Sequence, residues 1–183
     1  PLLKDRIGED VFNGYVWRYL FSRAIISENA IKFSGAYLED ELFLIEYFCH
    51  AQRLAAVSKP LYYYHQNPGS VTRRYLKDFE STFLSSFEAK RALVKKHSID
   101  CIEGWEDITL WAGLLIAIGN EYAPGNAIPL SDKRRNVIAL CAREPFSSAI
   151  ASGKPRGAGK RKQLVIDLVS SKNYTILTLL YAL

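Results

Sequence analysis

In the stretch AYLEDELF, Glu39, Asp40 and Glu41 stand in a row directly before a run of large apolar residues. A positioned carboxylate can take the proton from an attacking hydroxyl. The residues alone also allow a simpler account. Acids in the first turn of a helix are favoured by its macrodipole, by about 0.3–1 kcal/mol each, so a triple acid is an ordinary helix start. The dipole would hold such a carboxyl ionised, and the adjacent acids would push the other way. Residue types do not say which prevails.

Other residues have the chemistry of a binding site, each with a structural alternative. Trp17 offers a flat apolar face for a ligand, or a core side chain. Tyr62 and Tyr64 share one face of an extended segment and Tyr63 takes the other; the pair suits either a cleft wall or packing. His65 ends that segment, and Ser70 lies in the turn sequence NPGSVT, where its hydroxyl can meet a ligand or close its own turn. Arg73 and Arg74 are able to meet phosphate, though two arginines after a turn are commonly solvated. No Asp-x-Asp occurs, and Cys49, Cys101 and Cys141 lack zinc-site spacing, so no metal site is expected within the chain. The cysteines are expected to be buried, reduced thiols.

The elements that must position these groups follow from periodicity. Val16 to Phe21 is rich in β-formers and reads as a strand, and Ala24 to Asn29 as a short helix. A helix from about Glu39 to Gln52 is apolar nearly all round and must be buried. RLAAVSKPLYYYHQ reads as two short strands around Lys59-Pro60. Beyond about Leu76 the pattern is helical. Phe79 to Lys96 forms one helix and Ile108 to Ile118 another; Trp105 and Trp111 read as core. A shorter helix spans 131–143, with Ser131 and Asp132 as N-cap candidates. A last helical stretch, Gln163 to Leu183, breaks near Lys172-Asn173. The expected organisation is α+β and mostly helical: a mixed part over 1–75, then a helical C-terminal region over 76–183.

Composition narrows the function classes. The chain has 183 residues, 13% of them aromatic, and a net charge of +5, which argues against disorder. No apolar run approaches the roughly 18 residues of a membrane span. The basic excess is local: GKPRGAGKRK, residues 153–162, carries Lys154, Arg156, Lys160, Arg161 and Lys162 and no acid. A nucleic-acid partner is therefore not expected. The chain begins at Pro1 and contains no methionine, and it reads as an excised piece.

From Val16 to Thr72 the chain resembles the second half of the catalytic domain of bacterial family 2 glycosyltransferases. Three landmarks carry the resemblance: Val16, Trp17, Leu20 and Phe21; then Lys32-Phe33 ahead of Glu39-Asp40 and Phe43; then Pro60, Leu61, Tyr62, Tyr64 and His65 with Ser70, Val71 and Thr72. One departure is Tyr19, where members often have Lys. The resemblance implies the acceptor-side part of a GT-A, Rossmann-like fold, with Asp40 as the catalytic base of an inverting transfer and Glu39 as its neighbour. It places Trp17, Tyr64, His65 and Ser70 toward substrate. It also implies a nucleotide-sugar donor, a glycan or lipid-linked acceptor in cell-surface polysaccharide synthesis, and a divalent metal, Mg or Mn, held by residues outside this chain. On that reading this chain alone does not catalyse transfer.

A cytoplasmic location follows, at the inner face of the plasma membrane if residues 153–183 act as a basic, amphipathic membrane anchor. Loss of the donor half would expose sheet edge and apolar surface and favour homo-oligomers. The competing reading is a non-catalytic helical module for interaction or membrane docking.

Overall fold

The computed structural model describes residues 14–35, 38–65, 74–155 and 159–182. It is helical. A 3-10 turn, Val16–Arg18, precedes α1 (Arg23–Glu28), α2 (Glu39–His50), α3 (Phe79–His97), α4 (Trp105–Glu121), α5 (Leu130–Cys141), α6 (Phe146–Ser152), α7 (Lys160–Ser170) and α8 (Tyr174–Ala182). Two compact units emerge: one takes Pro1–His65 with Glu80–Trp105, the other Gln66–Phe79 with Glu106–Leu183.

The first unit is built around α2. A helix apolar on every side has to be surrounded, and this one is: Leu44 and Ile45 are 0% exposed, and Leu42, Phe43, Tyr47 and Phe48 are buried. Phe21 meets Phe43 and Tyr47 edge-on at 5.3 and 4.9 Å, and Tyr19 meets Phe48 edge-on at 5.4 Å. Phe33 lies flat on Phe43 at 4.3 Å. Ile25, Ile26, Leu93, Val94, Ile99 and Trp105 complete the packing. The backbone N–H of Ser22, which precedes α1, donates to the Tyr47 hydroxyl at 2.8 Å. That bond satisfies a donor that no side chain caps.

The α+β, Rossmann-like expectation is overturned here. Among the described residues no strand forms, apart from a lone bridge position at Cys101. Val16–Arg18 closes as a 3-10 turn, with the Tyr19 N–H on the Val16 carbonyl at 3.1 Å. Residues 51–65 run without regular structure, and Leu61 and Tyr63 stand 74% and 91% exposed. The physical reason is pairing. β-forming side chains favour an extended backbone, but a strand exists only where a neighbour completes its ladder.

The second unit is a helical bundle. Trp111 and Leu114 of α4, Val137 of α5, Phe146 of α6, Ile166 of α7 and Leu177 of α8 are all at most 1% exposed. α5 packs on α6 and α8, and α7 packs on α8. A buried indole needs a partner for its N–H; that of Trp111 donates to the carbonyls of Ala149 and Gly153 at 3.0 and 2.9 Å. Asn120 makes a two-way clasp with Leu76, accepting its N–H at 2.8 Å and donating to its carbonyl at 2.9 Å. α5 starts at Leu130, and the backbone carbonyl of Pro129, not Ser131 or Asp132 as N-cap, receives its first N–H groups. α7 begins at Lys160, inside the basic stretch 153–162, and the chain breaks at 171–173 before α8.

Replacing Leu44 by Ala should cost about 2–5 kcal/mol, as for a leucine removed from a closed core. The same change at Leu54, 61% exposed, should stay within about 0.5 kcal/mol. Urea unfolding of the two variants checks the contrast.

Candidate functional site

The three acids at the start of α2 have three different surroundings. The chain enters the helix through Leu38, whose φ of 60° is left-handed and unusual for a residue with a Cβ. Glu41 turns toward α3, where its Oε1 accepts from the buried Lys90 ammonium at 2.7 Å. Lys90 also lies 5.8 Å from the centre of the Trp105 ring. The Asp40 carboxyl lies near the backbone N–H of Val16, which favours its charged form. Gly14 lets that segment come close: a Cβ there would lie 3.2 Å from the Glu41 Cβ.

Burial raises the Asp40 carboxyl above its ordinary value of 3.8; the Val16 N–H lowers it and the Glu39 charge raises it again, with a net upward shift. Burial, which the residue types did not weigh against the dipole and the adjacent acids, is the largest contribution and makes the carboxylate more basic. Cys49 and Cys141 are also pushed up, to about 11 each, chiefly by burial. Both stay protonated at neutral pH, so neither is poised as a nucleophile.

Val16, whose backbone lies near Asp40, is followed directly by an aromatic cluster. Trp17 stacks on Tyr62 at 4.9 Å and on Tyr64 at 5.3 Å, with Tyr15 tilted against it at 5.7 Å. All four rings are open to solvent, Trp17 the least so at 38%. Tyr62 and Tyr64 share the face toward Trp17 although no strand holds them. Of the residues singled out from sequence, Trp17, Asp40 and Tyr64 are thus brought into one neighbourhood, with Glu39 beside Asp40. Tyr15 and Tyr62 join them; nothing in the residue pattern marks Tyr15. His65 and Arg74 are exposed, and Ser70 and Arg73 lie outside the described residues. Tyr19, at the position where a lysine is common among the proteins this chain resembles, packs on Phe48 and Phe21.

Among the described residues the one group of three metal-capable side chains is Glu46, His50 and His97, and Glu41 is committed to Lys90.

Two proteins of Bacillus subtilis (strain 168) match the chain. EpsH, which carries the provisional name of a glycosyltransferase, is 24% identical over 148 residues, 78% of this chain and 43% of EpsH. EpsJ, named an uncharacterized glycosyltransferase, is 29% identical over 94 residues, 50% of this chain and 27% of EpsJ. The chain therefore spans less than half the length of these relatives. No known family profile matches it, and no solved structure does. The matches relate the chain to proteins named glycosyltransferases.

A carboxyl raised in the folded state binds its proton more tightly there than in the unfolded chain, so ionising it as pH rises lowers stability. Asp40→Asn cannot ionise and keeps an oxygen for the Val16 N–H. It should melt above the unsubstituted protein at pH 7, and the gap should close as the pH falls to about 4, near the ordinary aspartate range. Paired melting curves across that range measure the gap.

Proposed function

We propose that this chain is the acceptor-side segment of an inverting glycosyltransferase of the family 2 kind. The observation that carries the reading is the juxtaposition of Asp40 with the Trp17–Tyr62–Tyr64 stack through the Val16 backbone. An aromatic face accepts the C–H face of a sugar ring, and Asp40, near the residue that precedes Trp17, is assigned to that sugar's hydroxyl. The relatives named as glycosyltransferases support the same reading.

In this reading the acceptor hydroxyl attacks the anomeric carbon of a nucleotide-sugar donor. The new carbon–oxygen bond forms as the bond to the diphosphate breaks, which inverts the anomeric centre. Asp40 takes the hydroxyl proton, and its upward shift makes it the stronger base for that step. Glu39 keeps the local field negative. Leu38, held in its left-handed conformation, fixes where the helix starts and so where Asp40 points. The donor and its Mg or Mn ion belong to residues outside this chain, and the acceptor is a glycan or a lipid-linked glycan. His65 and Ser70 are assigned to the same acceptor side.

In the full-length enzyme Asp40→Asn should lower kcat about a hundredfold or more while donor binding is kept. Trp17→Ala and Tyr64→Ala should act mainly on the KM for acceptor. Near-normal turnover of Asp40→Asn would remove it from the role.

A membrane surface is the partner proposed for the C-terminal helices. Lys160, Arg161 and Lys162 are exposed at the start of α7, and Leu164, Ile176 and Leu179 are 46–58% exposed on α7 and α8. Lys154 contributes less, being paired with Asp167 at 2.8 Å. No helix among the described residues is long and apolar enough to cross a membrane; the proposed contact is with the surface of the inner face, each basic residue adding about 1 kcal/mol. The protein should co-sediment with vesicles rich in phosphatidylserine and lose that binding when the three basic residues become Gln. Equal binding to neutral and acidic vesicles would refute the anchor.

A further inference from the structure

At the far end of α2 a second cluster plays no part in the proposed transfer. Two histidines converge on one carboxylate. His97 Nε2 lies 3.0 Å from Glu46 Oε2, and His50 Nε2 lies 3.4 Å from Glu46 Oε1. The two imidazole rings stand perpendicular, with centres 5.3 Å apart. The side chains are 14%, 28% and 15% exposed for Glu46, His50 and His97, so the cluster is sheltered but reachable from solvent. Glu46 and His50 are one helical turn apart on α2, and His97 is the last residue of α3.

We propose that Glu46, His50 and His97 form a binding site for a divalent transition-metal ion, zinc foremost, that clasps α2 to the C-terminal end of α3. The three ligand atoms lie within 4.8 Å of one another. Ligands of a tetrahedral zinc at about 2.0–2.2 Å from the ion are about 3.3 Å apart. Small side-chain rotations therefore close the site without moving either helix. Neutral imidazole can carry its hydrogen on Nδ1, which frees Nε2 for the ion. Two imidazoles and a carboxylate suit zinc, with its fourth position left to water.

Lys96 competes for the site. Its ammonium donates to Glu46 Oε1 at 2.7 Å, but its side chain is 61% exposed and can swing into solvent. Burial alone would raise the Glu46 carboxyl; hydrogen bonds from Lys96, His97 and His50 outweigh it and hold it below the ordinary range. The site is separate from the acid turn. Glu46 follows Asp40 by six positions, about 9 Å along the helix and about 120° round it. The inference is independent of the glycosyltransferase reading.

The test uses the tag-free chain stripped of metal and titrated with zinc or cobalt(II) ions alone. One equivalent should bind, the melting temperature should rise by several degrees, and cobalt should show a low-symmetry visible spectrum without a thiolate charge-transfer band. His50→Gln and His97→Gln should each weaken zinc binding by more than about 10–100-fold, the loss that disturbing even an outer partner of a ligand causes. Lys96→Gln should strengthen it. Each variant's metal-free melting curve identifies any that does not fold, and the remaining histidine variant and the cobalt spectrum then decide. No binding at 100-fold molar excess, a thiolate band, or unchanged affinity in a folded histidine variant would overturn the proposal.

Discussion

One constraint organises the first unit: a helix with apolar residues on every face cannot stand at a surface. α2 is that helix, and Leu44 and Ile45 lose all contact with solvent. Everything else in the unit is arranged to cover it. The aromatic residues from Tyr19 to Phe33 pack on it from the N-terminal side of the chain, and Leu93, Val94, Ile99 and Trp105 from the later part. Because the middle of α2 is locked, both of its ends become stiff mounts for polar groups. Its first turn sends Glu41 to Lys90 and Asp40 to the Val16 N–H, and its last turn presents Glu46 and His50 to His97.

Burial also sets the chemistry of those groups. The same loss of water that stabilises the apolar side chains of α2 makes the Asp40 charge less comfortable and its carboxylate more basic. At Glu46 three donors reverse the effect. Two carboxylates on one helix thus end up shifted in opposite directions, and the difference lies in their neighbours. In the second unit the polar bonds of Trp111 and Asn120 do a plainer job. They satisfy groups that a packed bundle would otherwise leave without partners.

Much of the helical framework was legible in the residues. The all-round apolar pattern of 39–52 marked a buried helix, and the helix ends at His50, within two residues of that reading. The break near Lys172-Asn173 separates α7 from α8. What failed was strand assignment. Val16–Phe21 and 53–66 have β-forming composition, yet composition reports only the local preference of the backbone. Whether a partner lies alongside is a property of the whole fold. Ser131 and Asp132 failed as caps because α5 starts at Leu130, which places both inside its first turn.

The candidate site was legible as residue types without an arrangement. Asp40, Trp17, Tyr62 and Tyr64 could be named from motif and resemblance, with the two tyrosines on one face, but neither could say that Val16 would lie beside Asp40 or that Tyr15 would join the stack. His50 and His97 lie 47 positions apart in the chain, and no local spacing rule links them; only the packing of α3 on α2 brings them to one carboxylate. The sequence by itself determined which segments had to be buried, because hydrophobic periodicity is a local property that survives in any context. Only the tertiary structure decided which polar groups meet, since distances between remote residues are set by how the buried faces close on one another.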